Sequence, residues 1–175
     1  MSTRTVDGHE IPAAGTWVID PSHSTIAAVA RHLVVSKVRG SFGEFSGTIT
    51  VGESVSESSV ALSIEAASIS TGAEDRDGHI RSADFLDVEN HPQLAFASTS
   101  VAANGDGWTL AGDLTMRGVT KPLSIEFEFL GVFADPWGNN KAAFSGSTRI
   151  EREEWGVNWN CLLYTSDAAD DYCWG

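Results

Sequence analysis

Residues 108–129 read WTLAGDLTMRGVTKPLSIEFEF. Trp108, Leu110, Leu114 and Met116 alternate with Thr109, Asp113, Thr115 and Arg117. Leu123, Ile125, Phe127 and Phe129 alternate with Ser124, Glu126 and Glu128. Period-2 alternation marks strands with one face buried. The two runs flank Gly118-Val119-Thr120, so they read as a β-hairpin. Further upstream, Phe45, Gly47, Ile49 and Val51 alternate with Ser46, Thr48 and Thr50, and Val60, Leu62, Ile64 and Ala66 with Ser63 and Glu65. Weaker strand patterns span Thr16–Asp20, Ser24–Leu33, Leu94–Val101 and Lys141–Glu151. Asp20-Pro21, Asn104-Gly105-Asp106-Gly107 and Asp135-Pro136-Trp137-Gly138-Asn139-Asn140 punctuate them as turns. The pattern predicts an all-β domain of eight strand-like segments, a sandwich or a barrel.

One stretch breaks the alternation. Ser70–His91 reads STGAEDRDGHIRSADFLDVENH. Thr71 with Glu74 fits a capping box, and the acids that follow suit the first turn of a helix. Ser82 is placed to cap a second short helix through Phe85 and Leu86, and Gly78 weakens any continuous one. A short non-strand piece is also expected at Val34–Val38. If the strands close into an eight-stranded barrel, the interior is just wide enough to be filled by side chains or to hold one small ligand. Ala27, Ala28 and Ala30 on one strand, and Ala142, Gly146 and Thr148 beside Phe144 on another, leave room inside. Six Trp and eight Phe could fill it, so volume alone leaves both outcomes open.

At 175 residues the chain is long enough to bury a core without disulfide or metal staples. Eleven Lys+Arg against 24 Asp+Glu give a net charge of -13, which argues against a nucleic-acid backbone binder and against a polybasic membrane anchor. No apolar run is long enough to span a bilayer. The opening MSTRTVDGHEIPAAGT has Asp7, His9 and Glu10 where a secretory signal needs a continuous apolar stretch, which predicts a cytoplasmic protein with residues 1–15 as an N-terminal extension. Both cysteines, Cys161 and Cys173, sit in the last fifteen residues, CLLYTSDAADDYCWG. This segment resembles the in-frame translation of a transposase-type sequencing adapter and is read as a non-native tail, so its cysteines carry no disulfide or metal inference. Without its three acids the charge balance stays negative.

Catalytic patterns are weak. The chain has no G-x-S-x-G elbow, no phosphate-cradling glycine loop and no cysteine before residue 161. Asp75, Asp77 and His79 lack metal-ligand spacing, and no metal or other cofactor is expected. Arg76, His79 and Arg81 lie beside the apolar Phe85-Leu86 step, where cations could meet an anionic or polar headgroup. The same cations could equally pair with Asp75, Asp77, Asp84 and Asp87.

Taken together, Ile19-Asp20-Pro21-Ser22-His23-Ser24, Arg31-His32-Leu33-Val34-Val35-Ser36-Lys37, Phe45-Ser46-Gly47, Asp75-Arg76-Asp77-Gly78-His79-Ile80-Arg81-Ser82-Ala83-Asp84-Phe85, Gly112-Asp113-Leu114-Thr115-Met116-Arg117-Gly118-Val119-Thr120-Lys121-Pro122, Asp135-Pro136-Trp137-Gly138 and Gly156-Val157-Asn158-Trp159-Asn160 form an ordered series of blocks. In that order the chain resembles the YceI-like, or polyisoprenoid-binding, family of bacterial proteins from about Thr16 to Asn160. The resemblance implies a lipocalin-like, extended eight-stranded antiparallel β-barrel with one or two short helices, whose apolar tunnel takes an isoprenoid quinone or a polyprenyl phosphate. It implies binding and carriage rather than catalysis. Family members continue past Asn160 with a further long strand, so residues 16–160 are expected to form a barrel lacking its final strand.

With that tunnel in place, the inward positions Trp17, Ile26, Leu62, Phe96, Leu110, Leu114, Ile125, Phe127 and Phe144 are the expected apolar lining. Arg31, His32, His79 and Arg81 are the headgroup candidates. The expected partner is an isoprenoid lipid, with no nucleic acid and no transmembrane segment, and with pairing of two copies as a homodimer left open. Two rival readings stand beside it: an enzyme using His32 or His79 as acid or base in the same cavity, and an interaction module with a filled core.

Overall fold

The computed structural model describes residues 3–32 and 36–158, with the side chains of Arg31, His32 and Ser36 outside the described set. Twelve strands and one α-helix occur among these residues. An N-terminal hairpin, β1 (Thr3–Val6) and β2 (His9–Pro12), precedes β3 (Gly15–Val18), β4 (Ile26–His32), β5 (Ser36–Phe42), β6 (Phe45–Val51), β7 (Ser59–Glu65) and β8 (Ile69–Ser70). Helix α1 (Glu74–Arg81) follows, then β9 (Gln93–Asn104), β10 (Gly107–Met116), β11 (Val119–Ala134) and β12 (Asn140–Ser147).

The main sheet has the order β12-β11-β10-β9-β7-β6-β3, all antiparallel. The β4-β5-β8 sheet prolongs three of its ribbons. The pairing Val18↔Thr48 of β3 and β6 resumes, two residues out of step, as Ile26↔Phe42 of β4 and β5. Likewise Phe45↔Ile64 of β6 and β7 resumes two residues out of step as Phe42↔Ile69 of β5 and β8. The wall is therefore a curled antiparallel sheet of seven ribbons. β3 and β4, which overlap the segments expected at Thr16–Asp20 and Ser24–Leu33, lie along one ribbon with the kink at Asp20-Pro21 between them, and Leu33 lies outside the described residues.

That kink is where the sheet meets its other edge. Lys141 on β12 donates to Asp20 Oδ2 at 2.5 Å, across 121 residues of chain. Asp20 also accepts from the Ser22 backbone N–H and hydroxyl, at 3.0 and 2.7 Å, and its Oδ2 lies 2.9 Å from His23 Nδ1. The Lys141 hydrogen bond, helped by Ser22 and His23, holds the Asp20 carboxyl well below the usual carboxylate range, and Asp20 in turn raises Lys141. A depressed carboxyl contributes stability above its unfolded value of 3.8, and that contribution is lost as pH falls toward its folded value. We therefore expect the urea midpoint of the wild type to fall more steeply between about pH 5 and pH 3 than that of Asp20→Asn. Equal slopes would show that the pair does nothing for closure.

Several local features differ from the sequence expectations. The hairpin turn between β10 and β11 is Arg117-Gly118, with φ of 52° and 73°, one step earlier than Gly118-Val119-Thr120. Both residues occupy the left-handed region, as a two-residue primed turn requires. Ser36–Val38 belongs to β5 rather than to a non-strand piece. The capping box at Thr71 and Glu74 does not form. Ala73 is the N-cap, and Asp77, 3% exposed, reaches back to accept from the Thr71 N–H at 2.8 Å and hydroxyl at 2.6 Å. The segment from Ser82 makes hydrogen-bonded turns instead of a second helix. The last strand ends at Ser147, and Arg152–Trp155 forms a 3-10 turn. Within the expected N-terminal extension, residues 3–12 form the β1-β2 hairpin, whose β2 packs on β11.

Candidate functional site

The lumen is solid in one half and hollow in the other. The solid half holds Phe45, Ile64, Leu94, Phe96, Leu114 and Met116 from the wall. It is plugged by Ile80 of α1, Phe85 of the turn after it, and Trp155 and Val157 beyond β12. Trp155 is 2% exposed and donates its indole N–H to the Leu114 carbonyl at 3.0 Å. Arg117 ties the segment after α1 to the wall by donating to the Phe85 carbonyl at 2.7 Å.

The hollow half is an apolar cavity of about 490 Å³, counting the part open to solvent. Ile49 and Val51 of β6 and Val60 of β7 form one side. Val101 of β9 with Trp108 and Leu110 of β10 form the back. Phe127 and Phe129 of β11 and Phe144 of β12 form the third side. The Phe144 ring lies 5.3 Å from Phe129 and 6.2 Å from Phe127, inside the range of favourable aromatic pairing. Ser58 and Ser59 are the polar lining residues, and the Ser58 hydroxyl already accepts from the Gly52 N–H at 3.1 Å. Ile11 and Pro12 of β2 close this end, both buried.

Of the nine expected lining residues, Leu110, Phe127 and Phe144 line the cavity. Phe96 and Leu114 are buried in the solid half. Ile26, Leu62 and Ile125 are half-buried and pack against that same core. Trp17 is half-buried and donates its indole N–H to the Ala13 carbonyl at 3.2 Å. Ile11, Pro12, Trp108 and Phe129 complete the cavity without having been singled out.

The headgroup candidates His79 and Arg81 do not line the cavity. His79 Nε2 lies 3.1 Å from Asp84 Oδ2, and its ring meets Phe85 edge-on at 5.0 Å. Arg81 spends its guanidinium on the Ala67 and Ile69 carbonyls, at 2.9 and 3.0 Å, and on Glu74 at 3.2 Å. Both belong to the plugged half, where Arg81 fastens α1 to the chain around β8 and His79 contacts the turn that follows α1. The Arg31 and His32 side chains lie outside the described residues. Among the described residues no group of three or more His, Cys, Asp or Glu is placed to hold a metal ion. Nor is any helix among them long and apolar enough to cross a membrane.

This architecture can be set beside known proteins. The sequence pattern of the YceI-like domain matches residues 17–171. The chain belongs to the YceI-like family. A YceI-like relative, a UPF0312 protein of Vibrio cholerae, is 38% identical over 148 residues, covering 82% of this chain and 78% of its own. A UPF0312 protein of Pseudomonas paraeruginosa is 40% identical over 136 residues, 77% of this chain and 71% of its own. Among solved structures, Burkholderia cenocepacia BcnA superposes with a TM-score of 0.74 at 22% identity, over 85% of this chain and 90% of that one. The Campylobacter jejuni YceI protein gives 0.66 at 24% identity, over 84% and 88%. These two likenesses establish the YceI-like fold. Residues 161–175, set apart in the sequence as a tail, lie outside the described residues.

Proposed function

We propose that this chain binds an isoprenoid lipid, such as an isoprenoid quinone or a polyprenyl phosphate, and carries or stores it without chemical change. The observation that carries this reading is the hollow half of the lumen. It is an apolar cavity walled by Trp108, Phe127, Phe129 and Phe144, with two serines as its polar lining. Such a wall offers a prenyl chain apolar and aromatic contact along its lined sides. Burial of apolar area contributes roughly 25 cal/mol per Å², so several hundred Å² of chain would offset the cost of association. The cavity is partly open to solvent, which leaves the polar end of such a lipid toward the open side.

Native mass spectrometry tests this on protein purified from a host that makes prenyl lipids. The expected spectrum shows a compact species carrying one prenyl-lipid mass that leaves on mild activation. Compact protein that emerges empty, and that takes up neither added farnesol nor an added quinone, would sink the proposal.

A further inference from the structure

The N-terminal hairpin lies ahead of the family match, which begins at residue 17. Yet two of its residues, Ile11 and Pro12, form part of the cavity wall. Three features shape the hairpin and hold it there. Its Asp7-Gly8 turn has φ of 51° and 84° and sets the register Val6↔His9 through Thr3↔Pro12. Arg4 on β1 donates to the Gly52 carbonyl, and to the Glu53 carbonyl at 2.7 Å and carboxylate at 3.3 Å. These acceptors begin the loop after β6, one and two residues beyond the lining residue Val51. On the other strand, the His9 ring lies 4.9 Å from Trp108, which also lines the cavity. Alternation along β2 then places Ile11 on the side of His9, toward the lumen. Ile11 is only 7% exposed although it sits four residues from a hairpin turn near the chain terminus.

We infer that this hairpin is the length stop of the cavity: Ile11 sets how much prenyl chain fits, and so selects among isoprenoid ligands by chain length. The inference rests on the lipid-binding reading above and adds its specificity determinant. Removing a few carbons from Ile11 opens space at the closed end, and adding an aromatic ring fills it. A change of one methylene at such a wall shifts discrimination by tenfold or more in favourable cases.

The test displaces N-phenylnaphthylamine from the full chain with geraniol, farnesol, geranylgeraniol and solanesol. In Ile11→Ala, the ratio of geranylgeraniol to farnesol affinity should rise by about tenfold. In Ile11→Phe, the preference should move the other way, toward geraniol. If Ile11→Ala loosens the hairpin altogether, the bias still moves toward longer chains, so that outcome also supports the stop. Wild-type binding with an identical chain-length profile in both variants overturns the inference while leaving the binding reading intact. Wild-type protein that binds none of the four alcohols overturns both.

Discussion

Trp155→Ala should lower stability by about 3–5 kcal/mol, the usual cost of truncating a buried large aromatic. The indole is 2% exposed and fills the solid half of the lumen beside Phe85 and Leu114. Its loss leaves a void that a wall of hydrogen-bonded strands cannot collapse around. It also removes the donor to the Leu114 carbonyl. Arg152, three residues earlier, has its guanidinium 5.9 Å from the Phe85 ring centre, a second contact of the 3-10 turn that the substitution leaves in place. Against a typical total of about 5–15 kcal/mol, this is a large share. For a chain of this size it corresponds to a fall in Tm of roughly 10 °C. Trp155→Phe should recover most of the packing and lose only the hydrogen bond, about 1 kcal/mol. Thermal and urea melts of the pair decide it. If Trp155→Ala melts within about a degree of wild type, the plug does not hold that half together.

The second large effect is on binding. Phe127→Asp should weaken prenyl-lipid binding by at least about 100-fold, or about 2.7 kcal/mol. Phe127 faces the cavity between Phe129 and Leu110, on a strand whose alternate side chains, Glu126 and Glu128, are exposed. A carboxylate there loses the ring contacts. It also needs water in a space lined almost wholly by apolar groups, which an apolar ligand would have to expel. Because Phe127 is half-buried, the fold should survive with its solid half intact, and circular dichroism can check that before binding is measured. Affinity equal to wild type in a folded Phe127→Asp would mean that the lipid sits somewhere else.

The sequence spoke most clearly where one physical rule acts alone. Alternation placed β6, β7 and β10 nearly residue for residue, and the middles of the longer β9 and β11, because inward side chains must be apolar and outward ones need not be. It missed β5 altogether, where Ser36 and Lys37 break the pattern although the backbone still pairs with β4. The N-terminal hairpin was legible too. Asp7-Gly8 between short alternating runs is a strong two-residue turn signal, masked by the reading of residues 1–15 as an extension. The cavity was only half legible. A period of two tells which face a residue is on, but not how far along the lumen it lies. Phe96 and Phe127 look alike in sequence. One is buried under α1 and Trp155, while the other borders open space. Nothing in the alternation of a strand reports what plugs its end. Trp155 itself stands among Arg152, Glu153 and Glu154, where no repeat flags it. The basic residues near α1 likewise carry no mark of direction, and the fold turns Arg81 toward backbone carbonyls.

The meeting of Asp20 and Lys141 gives the molecule an unusual kind of fastening. A ladder of backbone hydrogen bonds behaves like a zip, parting tooth by tooth with resistance at each one. Among the described residues, the first and seventh ribbons are joined instead by what amounts to a press-stud. A stud yields in one event and snaps back in one event, and neither half of the sheet has to lose a rung of its own pairing. Closure between these two edges is thus a matter of one charged contact, switched by whatever protonates or competes for it, and separate from the pairing that holds each edge to its own neighbour.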